Sequence, residues 1–505
     1  MDWITLVSVF LLFTFMIILV LKTKGFWKNS SQLLPPGPWP LPLVGNLLIM
    51  DRKMPYRTML KLSKQYGPVF SLQMGLQKMV VLTGYEMVKE ALVNQADEFA
   101  ERPFVPIHEE FSNGLGIIFS NGENWKVMRR FALTTLRDYG MGKRSIEDKI
   151  VEECNVLVKK FESYQGKPFN AITVMSVAIA NIMMSIVFGK RFEYDDPIIP
   201  RLRKLIIENV RLLGMETYPL GIMCGSALNN RVLRSRRAYY ALEEIRALFN
   251  CHTFNLDLMD FFPAIHCIFC PGIFLTSFGL TCCCLFQEKK NNSGGYFHKE
   301  NLKNTVRNLI SVGMEPVSTT LHWSLLLMMK YPEIQKKVQA EIDDVIGTAQ
   351  PRTEHRTKMP YTDAVVHEVQ RFADIIPNNL PRATTTDVTL KGYFIPKGTY
   401  IIPLLTSVLH DETQWEKPYE FYPEHFLDSA GKFVRRDAFM PFSAGRRMCA
   451  GETMAKMELL LFFTCLLQRF TFQLPPGISK EDLGFSREVG LSTPPIPFNV
   501  CALPR

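Results

Sequence analysis

The sequence predicts a mainly α domain with small β-sheets, an α+β fold, preceded by an N-terminal transmembrane helix. Three observations predict it. An uncharged apolar run of nineteen residues occupies positions 3–21. Most of the remaining chain has the apolar periodicity of helices, and only a few short segments have the composition of strands. At 505 residues and 47% hydrophobic content, the chain can bury a large core.

As a helix, residues 3–21 would cross roughly 30 Å of hydrocarbon. The run lacks the basic start and small-residue cleavage site of a signal peptide, and Lys22, Lys24 and Lys28 follow it. That charge bias places everything after residue 21 on the cytosolic side. Residues 22–45 read as a stiff linker, because Pro35, Pro36, Pro38, Pro40 and Pro42 fix φ and discourage helix and sheet alike. One large domain, 46–505, follows. Residues 69–74 and 79–83 read as strands joined at Gly75, and 388–390 with 400–402 as a second β region. Residues 301–330 read as a central helix about 45 Å long.

The net charge of +9 is carried by scattered basic residues, which suits anionic lipid more than nucleic acid, and no aromatic-plus-basic nucleic-acid motif is present. Eleven cysteines are odd in number and sparse, which points to a reducing compartment. Cys267 and Cys270 have zinc-type spacing, but Ile268 and Phe269 between them favour buried thiols.

The chemistry concentrates at Phe442, Gly445, Arg446, Arg447, Cys449 and Gly451, just before a helical stretch that starts at Glu452. A cysteine at a helix start, beside two arginines, is placed to become a thiolate. Gly445 permits a tight turn, and Gly451 permits close approach of a flat ligand. A second pair, Glu368 and Arg371, lies at i,i+3 on the margin of an apolar helix face, where a charge needs a partner.

These residues resemble the cytochrome P450 family, whose signature Phe-x-x-Gly-x-Arg-x-Cys-x-Gly is matched at Phe442, Gly445, Arg447, Cys449 and Gly451. The resemblance extends over nearly the whole chain and is nearest the microsomal family 2 branch. It implies a cytochrome P450-like fold and a haem b cofactor whose iron takes Cys449 as axial thiolate. Trp125, Arg129, Arg382 and Arg447, with Arg102, fall at positions implied to contact the haem propionates, for which arginine forks are suited. Glu368, Arg371 and His425 are implied to lock the region holding the cysteine loop.

The activity implied is a monooxygenase that inserts one atom of O2 into fatty acids, steroids or xenobiotics. The implied partners are NADPH-cytochrome P450 reductase, cytochrome b5, a small lipophilic substrate and the membrane of the endoplasmic reticulum. Lys126, Arg130, Lys143, Arg144, Arg435 and Arg436 are candidate reductase-docking charges. Two departures stand out. In the oxygen-pocket helix Glu315 keeps the family's acid, as a candidate catalytic residue, but Pro316 replaces its threonine. That change favours, as alternatives, a hydroperoxide isomerase or a catalytically impaired haem-binding membrane protein. Residues 216–293, where the family has the helices roofing the pocket, are irregular.

Overall fold

The computed structural model describes residues 33–51, 53–105, 112–188, 191–197, 203–208 and 295–505, with Thr14, Glu109 and Arg201 as isolated positions. The expected membrane anchor, the irregular segment 216–293 and the Cys267/Cys270 pair therefore lie outside the described residues. Among the described residues no helix qualifies as a membrane span.

The order begins with helix α1 (Pro55–Tyr66), strands β1 (Val69–Met74) and β2 (Gln77–Leu82), and helix α2 (Tyr85–Lys89), which widens into a π turn at Glu90–Asn94. Helices α3 (Gly122–Asp138), α4 (Arg144–Glu162) and α5 (Ala171–Phe188) follow. After the undescribed stretch come α6 (Lys299–Lys330), α7 (Pro332–Val345) and α8 (Pro360–Ala373). Strands β3 (Arg382–Ala383), β4 (Val388–Leu390), β5 (Tyr393–Ile395) and β6 (Tyr400–Pro403) lead to the short helix α9 (Thr406–Leu409). The chain closes with α10 (Glu452–Arg469), β7 (Phe470–Gln473) and β8 (Cys501–Pro504).

The central helix is α6, as expected for residues 301–330, and it packs against α5, α7, α8 and α10. His298 caps its start by accepting from the Asn301 N–H. Helix α5 is apolar all round because its residues from Val174 to Val187 are nearly all buried between α4 and α6. Helices α7 and α8 each begin with proline, which needs no hydrogen-bond partner for its nitrogen at that position.

The first predicted hairpin forms as expected, with Val69 opposite Leu82 and Met74 opposite Gln77. The second β region does not. Residues 400–402 leave 388–390 and run parallel to β2, pairing Met79 with Tyr400. Strand β4 instead pairs with β5 across a turn at Lys391 and Gly392, both at positive φ, which suits a two-residue hairpin. All four residues of β6 are buried, so it belongs inside a sheet rather than at an exposed hairpin.

The described part of the proline run is also not a free spacer. Pro36 C=O accepts from the Ser71 N–H at 2.7 Å, and Ser71 Oγ donates to Pro35 C=O at 3.0 Å. Gly37 lies so close to the Ser71 carbonyl that a side chain there would collide with it. The run is docked along β1.

Candidate haem-thiolate site

The cysteine loop is built on backbone contacts. Gly445 sits at φ +72°, and a Cβ on it would overlap the Leu92 carbonyl in the π turn after α2. Gly445→Ala is expected to destabilise the protein by about 3 kcal/mol, a left-handed penalty plus overpacking, read as a lowered thermal midpoint. The Cys449 N–H donates to Phe442 C=O at 3.0 Å and closes the loop. Helix α10 starts three residues later, and backbone N–H groups of Gly451 and Glu452 point at the Cys449 sulfur. A methyl at position 451 would only touch that sulfur at ordinary contact distance, so nothing in the protein alone requires the glycine.

The pair of neighbouring arginines does not activate the thiol as the sequence suggests. Arg446 turns outward and forms a two-pronged ion pair with Asp97 at 2.7 and 2.8 Å. Arg447 turns away into the interior. Burial pushes the Cys449 thiol up, with Glu452 adding to it, while the Gly451 and Glu452 amides and Arg129 oppose the rise. The cation on Cys449 thus comes from α3, through Arg129, which donates to Met448 C=O at 2.6 Å. Cys449 is ringed by protein yet its side chain is accessible, as expected of a thiol lining an internal space.

Four arginines gather around this loop. Arg102 donates from Nε to Ile118 C=O and from Nη1 to the carbonyls of Leu380 and Pro381, bracing three segments. Arg382 donates to Ser443 Oγ at 3.1 Å and Ala444 C=O at 3.3 Å. Arg447 donates to the carbonyls of Ala100 and Ser120, and its guanidinium lies 3.8 Å from the Trp125 ring centre. Burial, with Arg102 and Arg129 beside it, pulls Arg447 down to about 8, and Arg382 is lowered by burial and its three arginine neighbours. A guanidinium keeps its proton in proteins, so such a cluster calls for anions.

Three buried donors here have no partner among the described residues: Trp125 Nε1, Arg382 Nε and Arg447 Nη1. Buried donors are rarely left unpaired. Unpaired donors in a cluster of cations, beside an accessible thiol, fit a flat ligand bearing carboxylates and a metal that takes sulfur, which is the chemistry of a haem. The residues present pass that test.

The lock behind the loop is complete. Arg371 Nε and Nη2 donate to the two oxygens of Glu368, both at 2.7 Å, and the pair is fully buried. The other donors reach the carbonyls of Leu409, Pro418 and Glu420, so all five guanidinium hydrogens are used. His425 Nε2 accepts from the Lys417 N–H, which puts the ring proton on Nδ1, donating to Glu368.

On α6, Val312 is 47% exposed among buried and half-buried neighbours. Pro316 lies one turn further along the same face. The Thr320 hydroxyl donates to Pro316 C=O at 2.8 Å and is committed within the helix. Glu315 is buried, and its Oε1 accepts from Thr319 Oγ1 at 2.7 Å and Ser492 Oγ at 2.6 Å. Burial raises its pKa, and the two hydroxyls oppose the rise.

Sequence reasoning assigns no role to the side chains of Asn121, Ser443 and Ser492. Asn121 Oδ1 accepts from the Arg102 N–H and from Arg447, binding two arginines together. Its place before a helix at Ser120-Asn121-Gly122 suggests a cap, yet the side chain makes no cap bond. Ser443, at φ +59°, receives Arg382 and Asn379. Nothing in the local sequence marks either as a partner of distant arginines.

A buried arginine cluster and an accessible cysteine before a helix, in a largely helical domain, define a haem-thiolate class of protein. The cytochrome P450 family model matches residues 35–502. Cytochrome P450 2K1 of Oncorhynchus mykiss is 45% identical, over 97% of this chain and 96% of its own. Cytochrome P450 2K4 of the same organism is 46% identical over the same shares, and cytochrome P450 2C39 of Mus musculus 42% identical over 95% and 96%. The chain belongs to the cytochrome P450 family. It is a haem monooxygenase, an oxidoreductase whose cofactor is haem b with an axial thiolate.

Proposed function

We propose that the protein is a monooxygenase of the endoplasmic reticulum membrane, acting on fatty acids, steroids or xenobiotics with electrons from NADPH through a reductase. The observation that carries the site assignment is the set of unpaired buried donors, Trp125 Nε1, Arg382 Nε and Arg447 Nη1, beside the accessible Cys449. Cys449 would supply the axial sulfur. Trp125, Arg129, Arg382 and Arg447, with Arg102, would hold the carboxylates. The haem supplies O2 activation, and the thiolate's electron donation favours O–O cleavage.

The chain's own residues set the stage for that chemistry. Arg102, Arg382 and Arg447 neutralise the carboxylates in a low-dielectric interior, where such pairs are strong. The Gly451 and Glu452 amides steady negative charge on the Cys449 sulfur. The accessible face at Val312 and Pro316 is apolar and suits a lipophilic substrate. The test is product formation: purified protein with a reductase and NADPH should hydroxylate members of one of these substrate classes. No hydroxylated product from any of them would sink the reading.

Membrane association is supported by the docked proline run and its surroundings. Trp39, Leu41, Leu43, Leu48, Ile49 and Leu76 are all exposed, and bridges from Gly45 to Leu41 and Met74 bring their segments together. The cytosolic side is assigned from the lysines after residue 21.

Docking of the reductase, with cytochrome b5 as a further electron donor, is assigned to the basic side chains Lys126, Arg130, Lys143, Arg144, Arg435 and Arg436. Raising salt from about 0.05 to 0.5 M, across which screening shortens several-fold, should slow reductase-driven turnover while leaving the isolated enzyme stable. Salt-independent turnover would exclude electrostatic docking.

Pro316 leaves no side-chain hydroxyl at its position, and Thr320 is tied to the helix backbone. Leaky turnover is expected, with NADPH oxidised and peroxide released in excess of product. Pro316→Thr should raise product per NADPH several-fold. Tight coupling in the wild type, unchanged in the variant, would refute this. The same geometry favours a second reading, rearrangement of lipid hydroperoxides, which needs no delivered protons. Hydroperoxide turnover without NADPH would support it.

A further inference from the structure

The missing hydroxyl on α6 draws attention to a hydrogen-bonded group that the proposed chemistry leaves without a role. Ser492, in the irregular segment before β8, reaches across 177 positions of sequence to the acid on the central helix. It is 3% exposed and Thr493 beside it 4%. The segment is pinned there. Thr493 N–H donates to Ile375 C=O, Trp323 Nε1 to Thr493 C=O, and Arg487 to the carbonyls of Ala373 and Asp374 at the end of α8. A hydroxyl held this firmly fixes the direction of its bond.

Both hydroxyl bonds fall on the same oxygen. Thr319 and Ser492 donate to Glu315 Oε1, which leaves Oε2 without a donor among the described residues. A carboxyl oxygen receiving two hydrogen bonds is poorly placed to carry the acid proton, so the neutral acid carries it on Oε2. We infer that Ser492 is a positioning residue for the monooxygenase reaction: with Thr319 it orients Glu315 to donate its proton from Oε2. This rests on the monooxygenase reading.

The stoichiometry requires such a donor. RH, O2, NADPH and H+ give ROH, H2O and NADP+, so two electrons and two protons enter per turnover. Glu315 breaks its Oε2–H bond, passes the proton toward the oxygen side of the pocket, remains as a carboxylate steadied by both hydroxyls, and regains a proton from solvent. Among the described residues no charged side chain of α5, α8, α10 or the 486–500 segment acts on it. Burial raises its pKa, and Ser492 and Thr319 lower it. Removing Ser492 withdraws a bond that favours the carboxylate, so the pKa rises further.

The experiment pairs an infrared titration of the protonated Glu315 carboxyl, which needs no turnover, with product per NADPH across pH. The infrared band is assigned by its loss in Glu315→Gln. Ser492→Ala should move the infrared midpoint up by about one pH unit, the effect of losing one hydrogen bond to a charged group. The pH at which coupling falls should move with it. Ser492→Thr should restore both, and Glu315→Gln should leave coupling low and flat with pH. An unmoved infrared midpoint in Ser492→Ala overturns the inference, as does a moved midpoint with unchanged coupling. A wild-type protein that binds haem but forms no hydroxylated product removes the monooxygenase reading, and the positioning role with it. The infrared midpoint then reports only whether Ser492 tunes the acid.

Discussion

Cys449→Ser is expected to abolish the thiolate-type absorption band of the reduced, carbon monoxide-treated protein, and with it all NADPH-driven product formation. A hydroxyl has a far higher pKa than a thiol and is a poor ligand for iron, so neither the bond nor its electron donation survives. The change is nearly isosteric, and the Cys449 N–H to Phe442 C=O bond belongs to the backbone. The loop should therefore persist, and circular dichroism should match the wild type. Retention of the thiolate-type band would show that another residue ligates the iron.

Arg371→Ala is expected to be the most damaging change away from the loop. It strands the Glu368 carboxylate in a fully buried site and leaves the carbonyls of Leu409, Pro418 and Glu420 without donors. Breaking one side of a buried pair costs roughly 3–5 kcal/mol, a large share of the roughly 5–15 kcal/mol that holds a typical domain folded. Little folded protein should accumulate, and thermal melting of what does should fall sharply. Arg371→Lys should rescue little, since an ammonium has three donors where five are used. A variant that melts like wild type would exclude the lock.

Much of this was legible in the sequence because it is local. The signature from Phe442 to Gly451 fits within one loop, and the structure closes it through its own backbone. Glu368 and Arg371 are neighbours by helical spacing alone, and the predicted bounds of α6 and β1 fall within two residues of those found. What was not legible depends on distant contacts. The parallel partner of β2 lies more than 300 residues away, and no periodicity announces it. Arg446 and Arg447 are adjacent in sequence, yet the turn at Gly445–Arg447 sends one to Asp97 on the surface and the other beneath Trp125. Proximity in sequence suggested that both would act on the thiol; rotation about the turn decides that Arg129 does so instead. Ser492 and Asn121 gain meaning only from side chains on other elements.

The parallel pairing of β2 with β6 also governs when the protein can become itself. Val81 must wait for Ile402 before its strand is flanked on both sides. A ribosome adding about 5–20 residues per second needs roughly 15–60 s to make the intervening stretch. The seat of the cysteine loop at Leu92 is finished still later, when Gly445 emerges. The N-terminal strands thus spend most of synthesis as an open sheet edge, exposed to pairing with other chains. Nascent chains stalled before residue 400 should need chaperones and take up no haem, whereas release of the full chain should close sheet and loop together.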